Sequence, residues 1–370
     1  MVRVLHVVTY MGRGGLETML MNYYRQMDKD QVQFDFLVHR QEEAAYDSEI
    51  LESGGKIYRF ERLVPWSSSY KKKFVSFLQE HPEYQIIHVH QDCLSSVALS
   101  CAKKAGIPVR IAHCHSSSQD KNWKYPIKLF YKRKIADNAT RLMACSHEAG
   151  EWMFGKGHTL QILPNAVDLS SFGFNETIRN CVRKELGLEN QFVLGHVGRF
   201  NSVKNQRFLL EVFAEYRKKN PESFLILVGD GPEREAMEKK CEGLHLKDAV
   251  LFAGQRTDVN RLLMAMDVFC FPSLYEGFPV SLVEAQTSGL PCLISDRITH
   301  DCVICKDLVQ FASIDHGPDP WIVGLEQIKE QNGKQKRKAR TEEVQQAGYD
   351  IETEARKLQE FYLKTGGDQK

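Results

Sequence analysis

The stretch 268–285 reads VFCFPSLYEGFPVSLVEA and decides the fold class, because it joins a strand, a loop and a helix in one unit. Val268–Phe271 is a short, wholly apolar run, which is typical of a strand buried in a parallel sheet. Pro279 is favourable in a first helical turn, so a helix is predicted to begin there. Glu276 lies in the loop after the strand, and Glu284 follows inside the helix.

The same alternation of strand and helix runs along the whole chain. Short apolar runs predict further strands at Arg3–Val8, Phe34–Val38, Lys56–Phe60, Ile86–His90, Val109–His113, Arg141–Cys145, Phe192–Val197, Phe224–Val228, Val250–Ala253 and Cys292–Ser295. Amphipathic stretches predict helices at Glu17–Met27, Ser95–Ala105, Gln206–Lys219 and Val280–Ser288. This alternation is typical of the α/β class, with parallel sheets covered by helices on both faces.

The alternation occurs twice, which predicts two Rossmann-like domains. A chain of 370 residues has the length of two domains of roughly 150–200 residues each. The break falls in Leu163–Phe174, so we assign residues 1–167 to the first domain and 168–348 to the second. Residues 349–370 are predicted to form a terminal helix on the first domain. Ligands of open α/β sheets bind beyond the carboxyl ends of the strands, so two facing sheets would form an interdomain cleft.

The composition excludes several classes of protein. Lys and Arg number 49 and Asp and Glu 48, so no global charge favours nucleic acid as a partner. No run approaches the roughly 18 apolar residues of a membrane span, and Met1–Val8 is too short for a signal peptide. Ten cysteines spread over 370 residues indicate a reduced, cytoplasmic chain. The C-x-x-C spacing of Cys302 and Cys305 lacks the second cysteine pair that a zinc site needs.

A glycine-rich loop follows the first predicted strand, where Thr9–Glu17 reads TYMGRGGLE. Gly14 and Gly15 let the backbone approach a ligand, and the next helix offers free N–H groups. The loop is therefore an anion or sugar-hydroxyl site, or else a plain strand-to-helix turn. It matches neither the dinucleotide pattern nor a P-loop, which argues against a nicotinamide dehydrogenase.

Two cations follow the first strand of the second domain, in Gly198–Asn205 (GRFNSVKN). Arg199 and Lys204 would lie at the carboxyl end of a strand beside a helix N-terminus, a setting that suits a diphosphate. The alternative is two solvated surface cations. Further strand-to-helix turns are predicted at Val228–Pro232 and Gly254–Val259.

Taken together, these segments resemble the retaining nucleotide-sugar glycosyltransferases of the two-Rossmann-domain GT-B class. The most similar family is the one with an E-x7-E motif, glycosyl transferases group 1 or family 4, with Glu276 and Glu284 as the two carboxylates. The resemblance covers nearly the whole chain through Gly14–Glu17, Leu163–Asp168, Gly198–Asn205, Val228–Pro232 and Pro272–Glu284. Ala166 stands where the family more often has glycine. Enzymes of bacterial exopolysaccharide or capsule assembly are the most similar members.

The resemblance implies roles for individual residues. Arg199 and Lys204 match the pair that holds the donor diphosphate, and Glu276 matches the carboxylate that contacts the donor sugar. His115 matches the first-domain histidine near the reacting sugar, and these four residues are the implied catalytic group. Glu284 matches the carboxylate that binds ribose. The other implied donor-binding residues are Gly14, Gly15, Gly198, Asn205, Arg256, Gly277, Phe278, Pro279 and Val280.

The resemblance also implies the reaction, which is transfer of a sugar from a nucleotide-sugar to a saccharide or lipid-linked saccharide with retention of configuration. We expect a UDP-sugar, the commonest donor in such families. The cations would stabilise the leaving diphosphate, the role that a metal takes in other transferases. The only Asp-x-Asp, Asp28-Lys29-Asp30, lies between a helix and a strand at the wrong sheet edge. We therefore expect no metal and no cofactor.

Two other functions fit the same fold. A non-hydrolysing nucleotide-sugar epimerase would need acid and base residues around the sugar but no acceptor. A nucleotide-sugar-binding subunit could instead activate a partner transferase, although intact Arg199, Lys204 and Glu276 argue against loss of activity.

Two H-x-H pairs end neighbouring predicted strands, His88-Val89-His90 and His113-Cys114-His115. Alternate residues of a strand point to one face, so each pair could chelate a metal. We favour hydrogen-bonded histidines, because the family requires no metal.

The segment Lys121–Lys134 (KNWKYPIKLFYKRK) holds six basic residues and no acid, interleaved with aromatic residues. Such a composition predicts peripheral docking on an anionic membrane surface, here the inner face. The alternative is a solvated basic helix whose aromatic side chains pack inward.

Overall fold

The computed structural model describes residues 1–116 and 123–367, and the chain divides into two compact units. The first unit holds Met1–Ala166 together with the chain from Ile351 onward, and the second holds Val167–Asp350. The two domain boundaries predicted from the sequence, after 167 and after 348, fall within two residues of these limits.

The first unit is built on a parallel sheet in the order β3-β2-β1-β4-β5-β6-β7. The described strands are β1 Val2–Val8, β2 Val32–Val38, β3 Ile57–Arg59, β4 Ile86–Val89, β5 Val109–Cys114, β6 Arg141–Ala144 and β7 Gln161–Ile162. All but β7 overlap predicted strands. The sequence did not indicate β7, because it is a two-residue edge strand that begins with an exposed glutamine.

Helices cover both faces of this sheet. They are α1 Gly15–Gln26, α2 Asp47–Glu52, α3 Ser68–Glu80, α4 Ser95–Ala105, α5 Tyr125–Lys132, α6 Ile135–Asn138 and α7 His147–Phe154. Ser67 and Ser146 cap α3 and α7 by accepting a hydrogen bond from a first-turn N–H. Gly106 ends α4 in the left-handed conformation that glycine adopts without strain.

The second unit is built on a parallel sheet in the order β10-β9-β8-β11-β12-β13. Its strands are β8 Phe192–Val197, β9 Ser223–Val228, β10 Val250–Gly254, β11 Val268–Phe271, β12 Cys292–Ser295 and β13 Val309–Ala312. The sequence did not predict β13, whose four residues (VQFA) lie at the sheet edge, with Gln310 and Phe311 only partly buried.

The helices of this unit are α8 Leu169–Phe172, α9 Glu176–Glu185, α10 Gln206–Lys219, α11 Arg234–Gly243, α12 Val259–Ala265, α13 Val280–Thr287, α14 Asp319–Lys334 and α15 Thr341–Gln346. The core between helices and sheet includes Phe213, Leu225 and Trp321, none of which is exposed. Both predicted helices of this unit, at α10 and α13, are present.

The terminal helix α16, Ile351–Gly367, returns to the first unit and packs against α1, β1 and β2. Ile351, Ala355, Leu358 and Tyr362 lie in one core with β1 and β2, each at most 2% exposed. Burial of an apolar side chain of this size is worth about 1.5–3 kcal/mol, which explains why the helix stays docked. Within the described residues, no helix is both long and apolar enough to cross a membrane.

Candidate active site

Three loops meet at the carboxyl edge of the second sheet, those after β8, β9 and β11. Gly198 N–H donates to Val228 O at 2.9 Å, and Phe200 N–H donates to Asp230 O at 3.0 Å. Leu274 N–H donates to Val203 O at 2.8 Å, which ties the β11 loop to the β8 loop. The segments that the sequence analysis singled out in this unit are therefore joined in space.

The approach of the β8 and β9 loops requires glycine at two positions. Gly229 has a φ of 131°, and a Cβ atom there would lie 2.1 Å from Gly198 O. A Cβ atom on Gly231 would lie 2.4 Å from Phe200 O. Such distances are far below van der Waals contact, so any larger residue would push the loop of Arg199 away from the β9 edge.

Lys204 and Glu276 form an ion pair at this edge, with Nζ 2.7 Å from Oε1. Both side chains are largely shielded, at 18% and 15% exposed. Lys204 ends a 3-10 turn, Ser202–Lys204, whose Asn201 cap accepts the Lys204 N–H at 3.1 Å. Asn205 then takes a left-handed conformation, and its Nδ2 donates to Pro272 O at 3.3 Å. The turn thus places the ammonium group over the β11 loop.

Lys204 and Glu276 can each form further hydrogen bonds while they remain in contact with one another. An ammonium group carries three donors, so Lys204 can hold Glu276 and still donate to a phosphate oxygen. The Glu276 carboxylate has two oxygens that accept hydrogen bonds from sugar hydroxyls. The pair therefore suits a ligand that brings a phosphate and a sugar to the same place.

Arg199 lies on the same loop as Gly198, and its side chain is exposed. Its carbonyl accepts a hydrogen bond from Gln206 Nε2 at 2.9 Å, which fixes the backbone of the loop. The guanidinium group forms no ion pair with any described residue. It is thus a cation held on a fixed backbone beside the Lys204–Glu276 pair.

The start of α13 is the buried part of the site. Gly277, Pro279 and Val280 are buried, and the Phe278 ring stacks on Tyr349 at 5.0 Å between centroids. Glu284, in the second turn of α13, is only 8% exposed. Burial raises the pKa of Glu284 to about 7, because the charged carboxylate loses its water.

Arg256, a predicted donor-binding residue, lies in an ion pair with Asp258. Its guanidinium group makes two hydrogen bonds of 2.7 Å to Asp258, and these raise its pKa. The residue follows β10, which lies two strands away from β8. No contact in the described structure joins Arg256 to the Lys204–Glu276 pair. Its role in donor binding stays a prediction.

The glycine loop of the first unit leads into α1, with Gly14 at the N-cap position. The Glu17 carboxylate folds back over it, so that a Cβ atom on Gly14 would lie 2.3 Å from Glu17 Oε2. A Cβ atom on Gly15 would meet nothing within 4 Å. Because a carboxylate repels an anion, this loop favours a hydroxyl ligand over a phosphate.

His115 lies just after β5 and is half-buried. Its Nε2 atom is 2.9 Å from Nδ1 of His90, and desolvation lowers the pKa of His115. The ring is therefore neutral near pH 7. His90 in turn has its Nε2 atom 3.1 Å from Nδ1 of His6, a residue that the sequence analysis missed. His6 pairs in register with His88 across β1 and β4.

Two segments that the sequence analysis set aside have ordinary structural environments. Asp28-Lys29-Asp30 forms the turn between α1 and β2, where Asp30 N–H donates to Asp28 Oδ1 at 3.0 Å. Cys302 and Cys305 are buried thiols, and Cys302 Sγ contacts Thr299 O at 2.9 Å.

Comparison with known proteins gives the family. Residues 179–346 match the model of glycosyl transferases group 1, and residues 13–171 match that of glycosyltransferase family 4. A protein of Bacillus subtilis (strain 168) named as glycosyltransferase EpsF is 37% identical over 369 residues, covering 97% of this chain and 96% of its own. The chain belongs to the group 1 and family 4 glycosyltransferases.

Other relatives of this glycosyltransferase extend the comparison. The Escherichia coli UDP-Gal:alpha-D-GlcNAc-diphosphoundecaprenol alpha-1,3-galactosyltransferase is 30% identical over 246 residues, covering 63% of each chain. The crystal structure of Anabaena HepE in complex with UDP and glucose superposes with a TM-score of 0.78 at 19% identity, covering 98% of this glycosyltransferase and 99% of HepE. The predicted GT-B fold, with two Rossmann-like units, is thereby confirmed.

Proposed function

We propose that this glycosyltransferase moves a sugar from a UDP-sugar to a saccharide or lipid-linked saccharide, in the assembly of a bacterial exopolysaccharide or capsule. The observation that carries the proposal is the Lys204–Glu276 pair at the carboxyl edge of the second sheet. The names of two relatives support the substrates. HepE was crystallised with UDP and glucose, and the Escherichia coli relative is named for a UDP-galactose donor and a diphosphoundecaprenol-linked acceptor.

In this proposal Arg199 and Lys204 hold the diphosphate that leaves. Negative charge grows on the bridging phosphate oxygen as the bond to the sugar breaks, and two fixed cations stabilise it in the transition state. The first turn of α13 adds backbone N–H groups beside Gly277. These groups supply positive potential where other transferases use a metal, so the proposed reaction is metal-independent.

In this proposal Glu276 and Glu284 bind two other parts of the donor, the transferred sugar and the ribose. Glu276 accepts hydrogen bonds from hydroxyls of the transferred sugar while it stays in contact with Lys204. Glu284 accepts from the vicinal hydroxyls of the ribose, which lies deeper along α13. His115, neutral and held by His90, donates or accepts a hydrogen bond at the sugar from the first unit.

The proposed reaction retains the anomeric configuration through a front-face displacement. The bond from the anomeric carbon to the acceptor oxygen forms on the face where the bond to the phosphate oxygen breaks. The acceptor hydroxyl passes its proton to that phosphate oxygen, and UDP leaves. Charge and atoms balance without any cofactor or external base.

We also propose that the basic segment Lys121–Lys134, which contains α5, docks the enzyme on the inner face of an anionic membrane, where a lipid-linked acceptor would reside. Two aromatic side chains here are open to solvent, Trp123 at 77% and Phe130 at 55% exposed. Lys124 and Lys134 lie over these two rings, at 5.0 Å and 4.1 Å. These two aromatic side chains therefore do not pack inward, as the alternative of a solvated helix would require. Lys121 lies outside the described residues.

The experiment that tests the function is a transfer assay with a panel of UDP-sugars and lipid-linked saccharide acceptors, followed by NMR of the product. The proposal predicts UDP release only with an acceptor, and the same anomeric configuration in donor and product. An inverted product would refute the front-face mechanism. Epimerised UDP-sugar without acceptor would assign the site to an epimerase, and binding without turnover would assign it to a regulatory subunit.

A further inference from the structure

Five histidines lie together on one face of the first sheet, and the transfer reaction uses only one of them. In this cluster, His6, His88 and His113 lie on β1, β4 and β5, and His90 and His115 directly follow β4 and β5. Ring centroids of neighbours are 4.0 Å apart for His113 and His115 and 4.4 Å apart for His88 and His90. So dense a set of imidazoles in a core is unusual, since the space could hold apolar side chains.

Three members of the cluster can converge on one ion. His90, His113 and His115 each offer a ring nitrogen, and these nitrogens lie within 4.8 Å of one another. Two ligands on a tetrahedral zinc ion, with Zn–N bonds of 2.0–2.1 Å, are about 3.3 Å apart. His90 Nδ1 and His115 Nε2 are 2.9 Å apart, so a small opening of that contact admits the ion.

The hydrogen bonding of the cluster supplies a second, independent observation. Both ring nitrogens of His113 are buried without a hydrogen-bond partner among the described residues. Leaving a buried polar group unpaired costs about 1–3 kcal/mol. An ion held by His113 would remove that cost at one of the two nitrogens.

His6 is positioned to hydrogen-bond the ring nitrogen of His90 that would not bind the ion. When His90 ligates through Nδ1, its other nitrogen carries the proton and donates to His6 Nδ1, 3.1 Å away. A histidine ligand in proteins almost always donates its second N–H in this way, which fixes the tautomer. Desolvation also lowers the pKa of His90 and His113 well below the usual value, so both rings are neutral.

We propose that His90, His113 and His115 form a site for a nitrogen-preferring divalent ion such as Zn²⁺, and that the bound ion inhibits sugar transfer. Three imidazoles with a fourth position open are a known ligand set for zinc. His115 is half-buried, so the ion has an approach from solvent on that side. The site lies in the first unit and takes no part in holding the diphosphate.

The inhibition follows from charge, and this part rests on the proposed function. Positive charge develops on the sugar as the donor bond breaks, and His115 is the residue proposed to contact that sugar. A divalent ion on His115 opposes this positive charge at short range. The uninhibited enzyme is thus the metal-free one.

Metal binding is measured on the full chain without any substrate. Protein freed of metal by chelation is titrated with Zn²⁺ against a chromophoric chelator, and with Co²⁺ while its visible absorbance is recorded. One ion per chain is expected, with a tetrahedral Co²⁺ spectrum. Failure to bind one equivalent of either ion would overturn the proposal.

Variants locate the ion within the cluster. His113→Gln should weaken Zn²⁺ binding at least tenfold, and His6→Phe, which removes only the supporting contact, about 10- to 100-fold. The matched control is His88→Gln, which is equally buried but lies outside the three ligands. Binding lost in His88→Gln and kept in His113→Gln would overturn the proposal. If His113→Gln does not fold, anomalous diffraction from zinc-soaked wild-type crystals must place the ion between His90, His113 and His115.

The transfer assay then tests the inhibition separately. One equivalent of Zn²⁺ should lower kcat several-fold, and EDTA should restore it. Stoichiometric binding with unchanged kcat would overturn the inhibitory role. Absence of transfer under all conditions would instead refute the proposed function, while the binding titration would still stand.

Discussion

The ammonium group of Lys204 lies 2.7 Å from the Glu276 carboxylate, across two loops that are far apart in the sequence. The contact joins the cation that the family resemblance assigns to the diphosphate with the carboxylate that it assigns to the sugar. Because both side chains are more than four-fifths shielded, each depends on the other for charge compensation. The pair is therefore preformed, and we expect one donor molecule to contact both of its members.

Lys204→Ala should reduce turnover strongly. It removes a charge-assisted contact to the leaving group, worth about 2–4 kcal/mol in the transition state, or about 30- to 1000-fold in kcat. Arg199→Ala should act in the same direction with less effect on stability, since Arg199 is exposed. Lys218→Ala is a control, because that lysine pairs only with Glu215 on the surface of α10. Near-normal kcat in both site variants would reject the diphosphate assignment.

Substitution of Glu276 and substitution of Glu284 should weaken ligand binding in different ways. Glu276→Gln keeps the shape of the side chain, and should weaken use of the UDP-sugar more than binding of free UDP. Glu284→Gln should weaken binding of both, because the ribose is common to them. Isothermal titration calorimetry with UDP and with UDP-glucose measures the difference, and equal UDP affinity in the two variants would contradict the division of roles.

Glu284 should make the stability of the protein depend on pH. Its pKa is about 7 in the folded chain and 4.5 when unfolded, so the folded state binds more protons between these values. The free energy of unfolding should then fall as the pH rises from 4.5 to 7, by about 3 kcal/mol, and level off above that.

Urea denaturation at pH 5 and pH 8 measures this effect, with Glu284→Gln as the matched variant. Glutamine does not titrate, so the variant should lose less stability than the wild type over the same interval. A wild type and variant with identical pH dependence would show that burial does not perturb this carboxyl group.

Transfer activity should survive metal chelators. In the proposed mechanism the cations Arg199 and Lys204 take the role of a metal at the leaving diphosphate, so dialysis against EDTA should leave kcat unchanged or higher. An activity that disappears with EDTA and returns with Mn²⁺ would contradict the metal-independent mechanism.

Membrane docking through the basic segment Lys121–Lys134 should depend on its exposed aromatic side chains, Trp123 and Phe130. Flotation with liposomes that contain anionic lipid should carry the enzyme upward, and the bound fraction should fall as salt rises through the physiological range. Trp123→Ser with Phe130→Ser should reduce flotation, whereas Trp66→Ser, at an exposed tryptophan outside the basic segment, should not. Equal flotation of all three proteins would refute the docking surface.

Much of the fold could be predicted because buried parallel strands are apolar and helices follow them with a clear period. Both failures, β7 and β13, are short edge strands, where partial burial weakens the apolar pattern. Gly229 and Gly231 can be read from the sequence. The requirement for glycine at these positions cannot, because it arises from a close backbone contact with another loop.

The candidate site shows a similar limit. The sequence indicated Lys204 and Glu276 as separate members of a site, and only the packing of the two loops reveals them as an ion pair. The hydrogen bond from Arg256 to Asp258 is likewise visible only in the structure. His6 escaped notice because a single histidine in an apolar strand has no spacing pattern, and its neighbours come from β4 and β5.

The most direct test is a crystal structure of the enzyme with UDP-glucose bound. We expect diphosphate oxygens within hydrogen-bond distance of Arg199 and Lys204, the ribose hydroxyls at Glu284 and the glucose hydroxyls at Glu276. A nucleotide bound elsewhere, or a diphosphate without contact to either cation, would contradict this expectation.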